Sequence, residues 1–214
     1  MKTNNRTSTT ARLAARALAA AAVLGSLGAC APLIVGSAVV GGSMMAVDRR
    51  TPGAQVEDQS IELKAAGLMR QASPQGHLNA TSYNRTLLLT GEVANEAERK
   101  AVELSVARIE NLRAVVNELA VAGSSSLTAR SNDAILSAKV KATFVDAADL
   151  QAQSIKVVTE RSTVYLMGRV SEREAARASD LAAKISGVQK VVRVFEILSD
   201  AELARLLGRP VPAK

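Results

Sequence analysis

The residue with the clearest chemical assignment is Cys30, the only cysteine among the 214 residues. It follows an N-terminal segment with the three parts of a secretory signal peptide: a basic region, an uncharged stretch over residues 17–24, and small residues. The basic region contains Lys2, Arg6, Arg12 and Arg16. A lone cysteine cannot form an intramolecular disulfide, so in an exported chain its presence indicates another use for the sulfur.

The residues around Cys30 indicate what that use is. The run Leu27-Gly28-Ala29-Cys30 resembles a bacterial lipobox, and Leu27 has the wrong shape for the small-residue position that ordinary signal peptidase requires. The resemblance implies cleavage before Cys30, a diacylglycerol thioether on its sulfur and an acyl chain on its new amino group. Ala31 at the next position implies sorting to the outer membrane.

Two alternatives for this segment remain open. Ala29-Cys30-Ala31 also fits ordinary cleavage after Ala31, which would release a soluble exported protein. If it stays uncut, the uncharged stretch from Ala17 to Val47 is long enough to span a bilayer. Its glycines and Pro32 make it a poor helix, however.

The residue types that enzymes use are sparse. The single histidine, His77, lies at a predicted strand start and is interpreted as a surface residue. No His, Cys and Asp cluster has metal-ligand spacing, and no glycine-rich loop has the form that cradles phosphate. Glu98 and Glu174 hold matching positions on two predicted helices and are interpreted as solvent-facing. We therefore expect no enzyme, no metal and no cofactor beyond the lipid on Cys30.

The net charge excludes one class of partner. Residues 1–29 contain four basic and no acidic residues, which leaves 23 Lys and Arg against 20 Asp and Glu in the mature chain. The formal charge of +7 is thus largely a property of the leader, and nucleic acid is not an expected partner. Residues 57–124 carry 7 basic and 9 acidic residues, whereas residues 125–198 carry 11 and 8. Either only the second segment is attracted to anionic surfaces, or the difference is drift on solvated faces.

The elements that must position any site follow a repeated order. From Asp58, interpreted as a helix cap, Ile61, Ala65 and Met69 recur at helical spacing. Two strands (77–83 and 86–93), a helix (96–110) and a third strand (114–121) follow, with a short turn that indicates a hairpin. A Gly/Ser linker follows, and the same order of elements then returns, beginning at Asp133, which is interpreted as the cap of the second unit's first helix. The Gly91-x-Val93 motif of the first unit matches Gly168-x-Val170 in the second, which indicates an internal repeat.

The predicted fold class is α+β, a tandem repeat of two α-β-β-α-β units. Each unit has a three-stranded mixed sheet covered by two helices, because the β-α-β crossover makes the third strand parallel to the second. The predicted divisions are a signal peptide (1–29), a lipidated N-terminus and tether (30–56), two domains (57–124 and 125–199) and a C-terminal tail (200–214), for which a short amphipathic helix is expected.

These units resemble BON domains, through the apolar-x-Gly-x-Val strand end and the Val-Val approach to the last strand. Two such units behind a lipobox, with Arg50-Thr51-x-Gly53-x-Gln55-Val56-x-Asp58 before the first, resemble the dual-BON outer-membrane lipoproteins (the DolP or YraP family). Periplasmic OsmY-type proteins are more distantly similar. The resemblance implies a non-enzymatic protein at the periplasmic face of the outer membrane. It implies binding of anionic phospholipid through the second domain, support of envelope integrity and a link to division sites.

A candidate lipid site follows from helical periodicity in the second unit. Leu136, Val140 and Phe144 recur every four residues and should face the sheet. The opposite side then presents the candidate lipid-binding residues Ile135, Ala138, Lys139 and Ala142. An exposed isoleucine beside a lysine suits an interfacial helix, because the apolar group enters the headgroup region while the ammonium meets phosphate. The alternative function is a protein-interaction adaptor or chaperone-like factor, with an envelope or division protein as its partner.

Overall fold

The computed structural model describes residues 48–208 and 210, in which the predicted α-β-β-α-β order occurs twice. The signal peptide, Cys30 and the first part of the tether lie outside the described residues. The first unit contains α1 (Pro52–Ala72), β1 (His77–Tyr83), β2 (Thr86–Val93), α2 (Glu96–Val106), β3 (Ala114–Asn117) and β4 (Ala120–Val121). The second contains α3 (Leu127–Asp146), a 3-10 turn (Ala152–Ser154), β5 (Ile155–Glu160), β6 (Thr163–Val170), α4 (Glu172–Ala183) and β7 (Lys190–Ile197), followed by α5 (Asp200–Leu206).

Both sheets are mixed, as predicted. β1 pairs with β2 antiparallel and β3 pairs with β2 parallel, and β5, β6 and β7 repeat this pattern. The third strand of the first unit is predicted to be continuous over 114–121, but it is interrupted. Its two pieces, β3 and β4, both pair with β2, and at the break the Asn117 side chain accepts a hydrogen bond from the Leu119 N–H at 3.2 Å.

The helix starts differ from the sequence prediction. Asp58 and Asp133 are predicted as helix caps, but α1 is capped by Thr51 and α3 by Ser126. Both aspartates lie inside their helices and are buried. The reason is a long-range contact that the local pattern does not reveal.

Each aspartate fixes the turn of the neighbouring hairpin. Both turns have two residues with positive φ, which matches the right-handed twist of the strands. The carboxylate of Asp58 accepts the N–H groups of Asn84 and Arg85 at 2.8 and 2.7 Å. Asp133 accepts those of Arg161 and Ser162, both at 2.9 Å. The aspartates thus join the first helix of each unit to its sheet.

The repeated glycines mark a close backbone approach. A Cβ atom at Gly91, where φ is +113°, would overlap the carbonyl oxygen of His77. Gly168 stands in the same relation to the carbonyl oxygen of Ser154. Glycine is needed at both positions because β1 and β5 begin directly against β2 and β6.

The buried apolar residues form three clusters, one within each unit and one between the two sheets. One face of each sheet packs on the helices of its own unit, in clusters that include Ile61, Leu87 and Val102 in the first unit and Val140, Leu166 and Ala178 in the second. The other faces of the sheets contact each other, and the residues buried between them are Tyr83, Leu88, Tyr165 and Met167. The central strands β2 and β6 are therefore covered on both sides, and the two units form one folded body.

Candidate membrane-binding face and the domain seam

Helix α3 has one side in the core and one in solvent. The Ser126 hydroxyl accepts the Ala129 N–H at 3.1 Å, so the helix is capped seven residues before Asp133, the predicted cap. Leu136, Val140 and Phe144 are at most 6% exposed, so the predicted inward side faces the core.

The candidate residues lie together on the outward side. Ile135 is 55% exposed, and Ala138, Lys139 and Ala142 are also exposed. Leu127 and Val145, 79% and 69% exposed, extend this side toward both helix ends. The sequence prediction missed Leu127 because it began the helix after that residue, and it missed Val145 although the residue follows Ala142 by three positions. We call Leu127, Ile135, Ala138, Ala142 and Val145, with Lys139 and Lys141, the α3 outer face.

Charges are arranged around this face rather than across it. At 3.6 residues per turn, Lys139 and Lys141 project on opposite flanks of the apolar stripe, and both are exposed. Asp133 is buried against the hairpin turn and contributes no carboxylate to the surface. The exposed acidic residue of α3 is Asp146, which is the last residue of the helix.

The equivalent helix of the first domain lacks this arrangement. By the alignment of Ile61 with Leu136, the residues of α1 at the positions of Ile135, Ala138 and Ala142 are Ser60, Leu63 and Gly67. Leu63 is 77% exposed. Val56, two turns earlier on the same side, is 68% exposed, and exposed Lys64 has the position of Lys139. The difference between the helices is that Ser60 and Gly67 replace Ile135 and Ala142, so the apolar side chains of α1 are separated along the helix.

The segment before α1 binds both domains through two consecutive arginines. Arg49 makes a bidentate contact with Glu174 of α4 at 2.8 and 2.7 Å and donates to the Arg169 carbonyl oxygen at 2.8 Å. Arg50 donates to Asp58 at 2.8 Å, and its guanidinium carbon lies 4.4 Å from the centre of the Tyr83 ring. The contacts of these two arginines thus hold the segment before α1 against both domains.

Two of the sequence interpretations are corrected here. Glu174 is buried, not solvent-facing, because it pairs with Arg49. Burial alone would raise the pKa of Glu174, but the hydrogen bonds from Arg49 and Ser171 outweigh it and lower the pKa below its usual value. Glu98 is half-buried and accepts a hydrogen bond from the Ser73 hydroxyl at 2.6 Å.

The third correction concerns His77, which is predicted as a surface residue. Its side chain is 21% exposed and contacts Glu92 and Glu160 at the seam between the two domains. Burial raises the pKa of Glu160, and the nearby carboxylates of Glu92 and Asp133 add to the effect. Within the part of the chain that the structure describes, these three side chains are the group placed closely enough to hold a metal ion. The sequence showed no such spacing because the three residues come from three strands.

Between residues 48 and 208, no helix has both the length and the apolar composition needed to cross a membrane.

Comparison with known proteins defines the class of protein. Residues 57–123 and 132–199 match the BON domain family. The chain therefore belongs to the BON-domain proteins, with two copies in tandem. Over 172 residues it is 34% identical to the outer membrane lipoprotein DolP of Haemophilus influenzae, covering 79% of this chain and 89% of that protein. The predicted kinship with the dual-BON outer-membrane lipoproteins is thus confirmed, and so is the predicted localisation at the outer membrane.

Two further similarities are more distant. A 21 kDa hemolysin of Actinobacillus pleuropneumoniae is 26% identical over 152 residues, covering 70% of this chain and 78% of that protein. Among solved structures, the C-terminal domain of CdsD from the type III secretion system of Chlamydia trachomatis aligns with a TM-score of 0.28 and 10% identity. That alignment covers 64% of this chain and 96% of the solved one.

Proposed function

We propose that this protein is non-enzymatic and binds anionic phospholipid at the periplasmic face of the outer membrane through the α3 outer face. A diacylglycerol and an N-acyl chain on Cys30 anchor it there. The proposal extends to support of envelope integrity, with a role at division sites. The observation that carries it is the exposed apolar stripe of α3 flanked by two lysines.

The chemistry of this face matches a lipid headgroup region. The large apolar side chains on this face are Ile135, Leu127 and Val145, and their transfer out of water is favourable. Lys139 and Lys141 can reach lipid phosphate on either side of them. A basic residue near an anionic membrane contributes about 1 kcal/mol, and salt screens this contribution. Two lysines and a narrow stripe therefore give weak binding by themselves.

The lipid anchor makes weak binding sufficient. Acyl chains contribute about 0.8 kcal/mol per buried CH₂, and stable anchoring requires more than one chain. The chain from Cys30 to Asp48 can extend about 60 Å at most. Because the anchor keeps Asp48, and with it the folded body, near the bilayer, the contact of α3 with the membrane becomes effectively intramolecular. The anchor then determines that the protein is at the membrane, and α3 determines how the folded body faces it.

Sedimentation with liposomes tests the proposal without the contribution of the anchor. The mature chain carrying Cys30→Ala should sediment with vesicles that contain anionic phospholipid and not with neutral vesicles. Ile135→Glu should abolish this binding because it places a carboxylate in the apolar stripe. Lys139→Glu should weaken binding most at low salt. Both variants should keep the parent melting temperature, since both side chains are exposed.

Leu63→Glu provides the matched control, because it places the same charge on the equivalent side of α1. It should leave binding unchanged. If folded Ile135→Glu still binds anionic vesicles, the α3 outer face is not the lipid site. If that variant instead loses a partner protein, the adaptor alternative is the better account.

A further inference from the structure

Three side chains of ligand type meet at the seam between the two domains. His77 begins β1, Glu92 is its register partner on β2, and Glu160 ends β5 of the second domain. The Nδ1 atom of His77 lies 3.3 Å from Oε2 of Glu92 and 3.8 Å from Oε1 of Glu160. All three ligand atoms lie within 4.8 Å of one another.

These separations suit a tetrahedral metal ion. Nitrogen and oxygen ligands lie about 2.0–2.1 Å from Zn²⁺, so two of them at the tetrahedral angle are roughly 3.3–3.4 Å apart. The His77–Glu92 separation of 3.3 Å already has this value, and the His77–Glu160 separation of 3.8 Å is close to it. One imidazole and two carboxylates leave a fourth position for water.

The remaining oxygen atoms of the two carboxylates are held by other groups. Oε1 of Glu92 contacts the Arg161 guanidinium at 3.4 Å, and Oε2 of Glu160 accepts from the Asn79 amide at 2.9 Å. Oε2 of Glu92 also accepts the Ser125 N–H at 3.2 Å, and a carboxylate oxygen retains a second lone pair for a metal. Such outer hydrogen bonds orient metal ligands and tune their affinity.

The internal repeat shows that the fold itself does not require this cluster. The register of the two hairpins aligns His77 with Ser154, Glu92 with Arg169 and Tyr83 with Glu160. At the pseudo-equivalent place on the other side of the seam, Ser154 therefore takes the position of His77, Arg169 that of Glu92, and Tyr83 that of Glu160. There the Tyr83 hydroxyl donates to the Ser154 carbonyl oxygen at 3.3 Å, and none of the three positions holds a histidine or a carboxylate.

We propose that His77, Glu92 and Glu160 bind a divalent transition metal ion of the Zn²⁺ type, which bridges the two BON domains. Glu92 is fully buried and Glu160 nearly so, while the 21% exposure of His77 leaves a path for the ion. Because two ligands come from the first domain and one from the second, the bound ion would oppose separation of the sheets. This site is independent of the α3 outer face, so either can fail without the other.

The test uses the tag-free mature chain with Cys30→Ala, which removes the only thiol that could also bind the metal ion. Because His77 is the only histidine, any imidazole-dependent binding reports on this site. After treatment with EDTA and removal of the chelator, calorimetric titration with Zn²⁺ should give one ion per chain. The melting temperature should rise with free Zn²⁺, and Co²⁺ should give the visible spectrum of a tetrahedral complex.

Variants assign the ligands. His77→Gln should abolish the stoichiometric binding and the zinc-dependent rise in melting temperature. Glu160→Gln, which keeps an oxygen for Asn79, should do the same and serves if His77→Gln folds poorly. Asn79→Ala should weaken binding about 10–100-fold as an outer hydrogen-bond partner. Glu196→Gln is the matched control, because Glu196 contacts Asn84 of the other domain but lies outside the cluster, and it should bind Zn²⁺ like the parent.

Two results would overturn the proposal. One is the absence of saturable Zn²⁺ or Co²⁺ binding by the parent chain. The other is a folded His77→Gln or Glu160→Gln variant that binds Zn²⁺ as tightly as the Glu196→Gln control, since binding would then occur elsewhere.

Discussion

Removal of the Arg49 side chain should destabilise the folded body more than removal of Arg99, a half-buried arginine whose ion pair lies within one helix. Arg49 and Glu174 are 3% and 10% exposed at their side chains and form a bidentate pair. Removing one partner of a buried ion pair costs about 3–5 kcal/mol because the other charge stays buried. Glu174 would retain the N–H and hydroxyl of Ser171 as donors, which places Arg49→Ala near the lower limit, at about 3 kcal/mol.

That free energy converts into a measurable shift. For a protein of this size, 1 kcal/mol changes the melting temperature by about 2–4 °C, so Arg49→Ala should melt about 6–12 °C below the parent. Differential scanning calorimetry of the mature chain measures this. Arg99→Ala is the control, because Arg99 pairs with exposed Glu96 within one helix, and such pairs contribute at most about 1 kcal/mol.

A double substitution separates the ion pair from packing. Replacing the pair by Arg49→Met and Glu174→Gln removes both charges and keeps an oxygen for the Ser171 N–H, so it should recover part of the lost stability because no unpaired charge stays buried. An Arg49→Ala shift no larger than that of Arg99→Ala would refute the reasoning. It would mean that the segment before α1 is not bound to the second domain in solution.

Three further predictions follow from the anchor, the hairpin turns and the acid behaviour. Cys30→Ala should move the protein out of the membrane fraction, and mass spectrometry of the parent should find a lipidated N-terminal Cys30 rather than an unmodified chain starting at Ala31. Asp58→Ala should lower stability more than Asp133→Ala in urea titrations, because Asp58 also accepts from Ser82 and Arg50 and orphaned buried donors cost about 1–3 kcal/mol each; equal losses would contradict this. The lowered pKa of Glu174 means that its contribution to stability is complete above the ordinary value of about 4.3 and is lost as the pH falls through the folded-state pKa. The melting temperature should thus drop on acidification below about pH 4.5, and less steeply in Glu174→Gln.

The tandem fold could be predicted because its signals are local. Each signal depends on a few neighbouring residues: the spacing of apolar residues, the hairpin turns, and the glycine two positions before Val93 and Val170. The same signals recur at a nearly constant offset along the chain. The start of α1 was also readable, since Thr51 followed by Pro52 is a common beginning of a helix. The prediction that Asp58 caps α1 was wrong, because an aspartate can either cap a helix or accept hydrogen bonds from the N–H groups of a turn.

The seam could not be predicted in this way. The contacts of Arg49 with Glu174 and of Asn79 with Glu160 join residues 125 and 81 positions apart. They depend on how the two sheets pack, which no periodic pattern specifies. The α3 outer face was largely predictable because the outward side of a helix follows once its inward side is known. Only its extension to Leu127 required the true start of the helix.

The absence of tryptophan from the chain allows a direct measurement of the central claim. Ile135→Trp places a single fluorophore on the α3 outer face, and Leu63→Trp places one on the equivalent side of α1. With vesicles containing anionic phospholipid, the emission of Ile135→Trp should shift to shorter wavelength and be quenched by lipids brominated in their acyl chains. Leu63→Trp should show neither change. Unchanged emission from Ile135→Trp, or equal quenching of the two variants, would contradict membrane binding through α3.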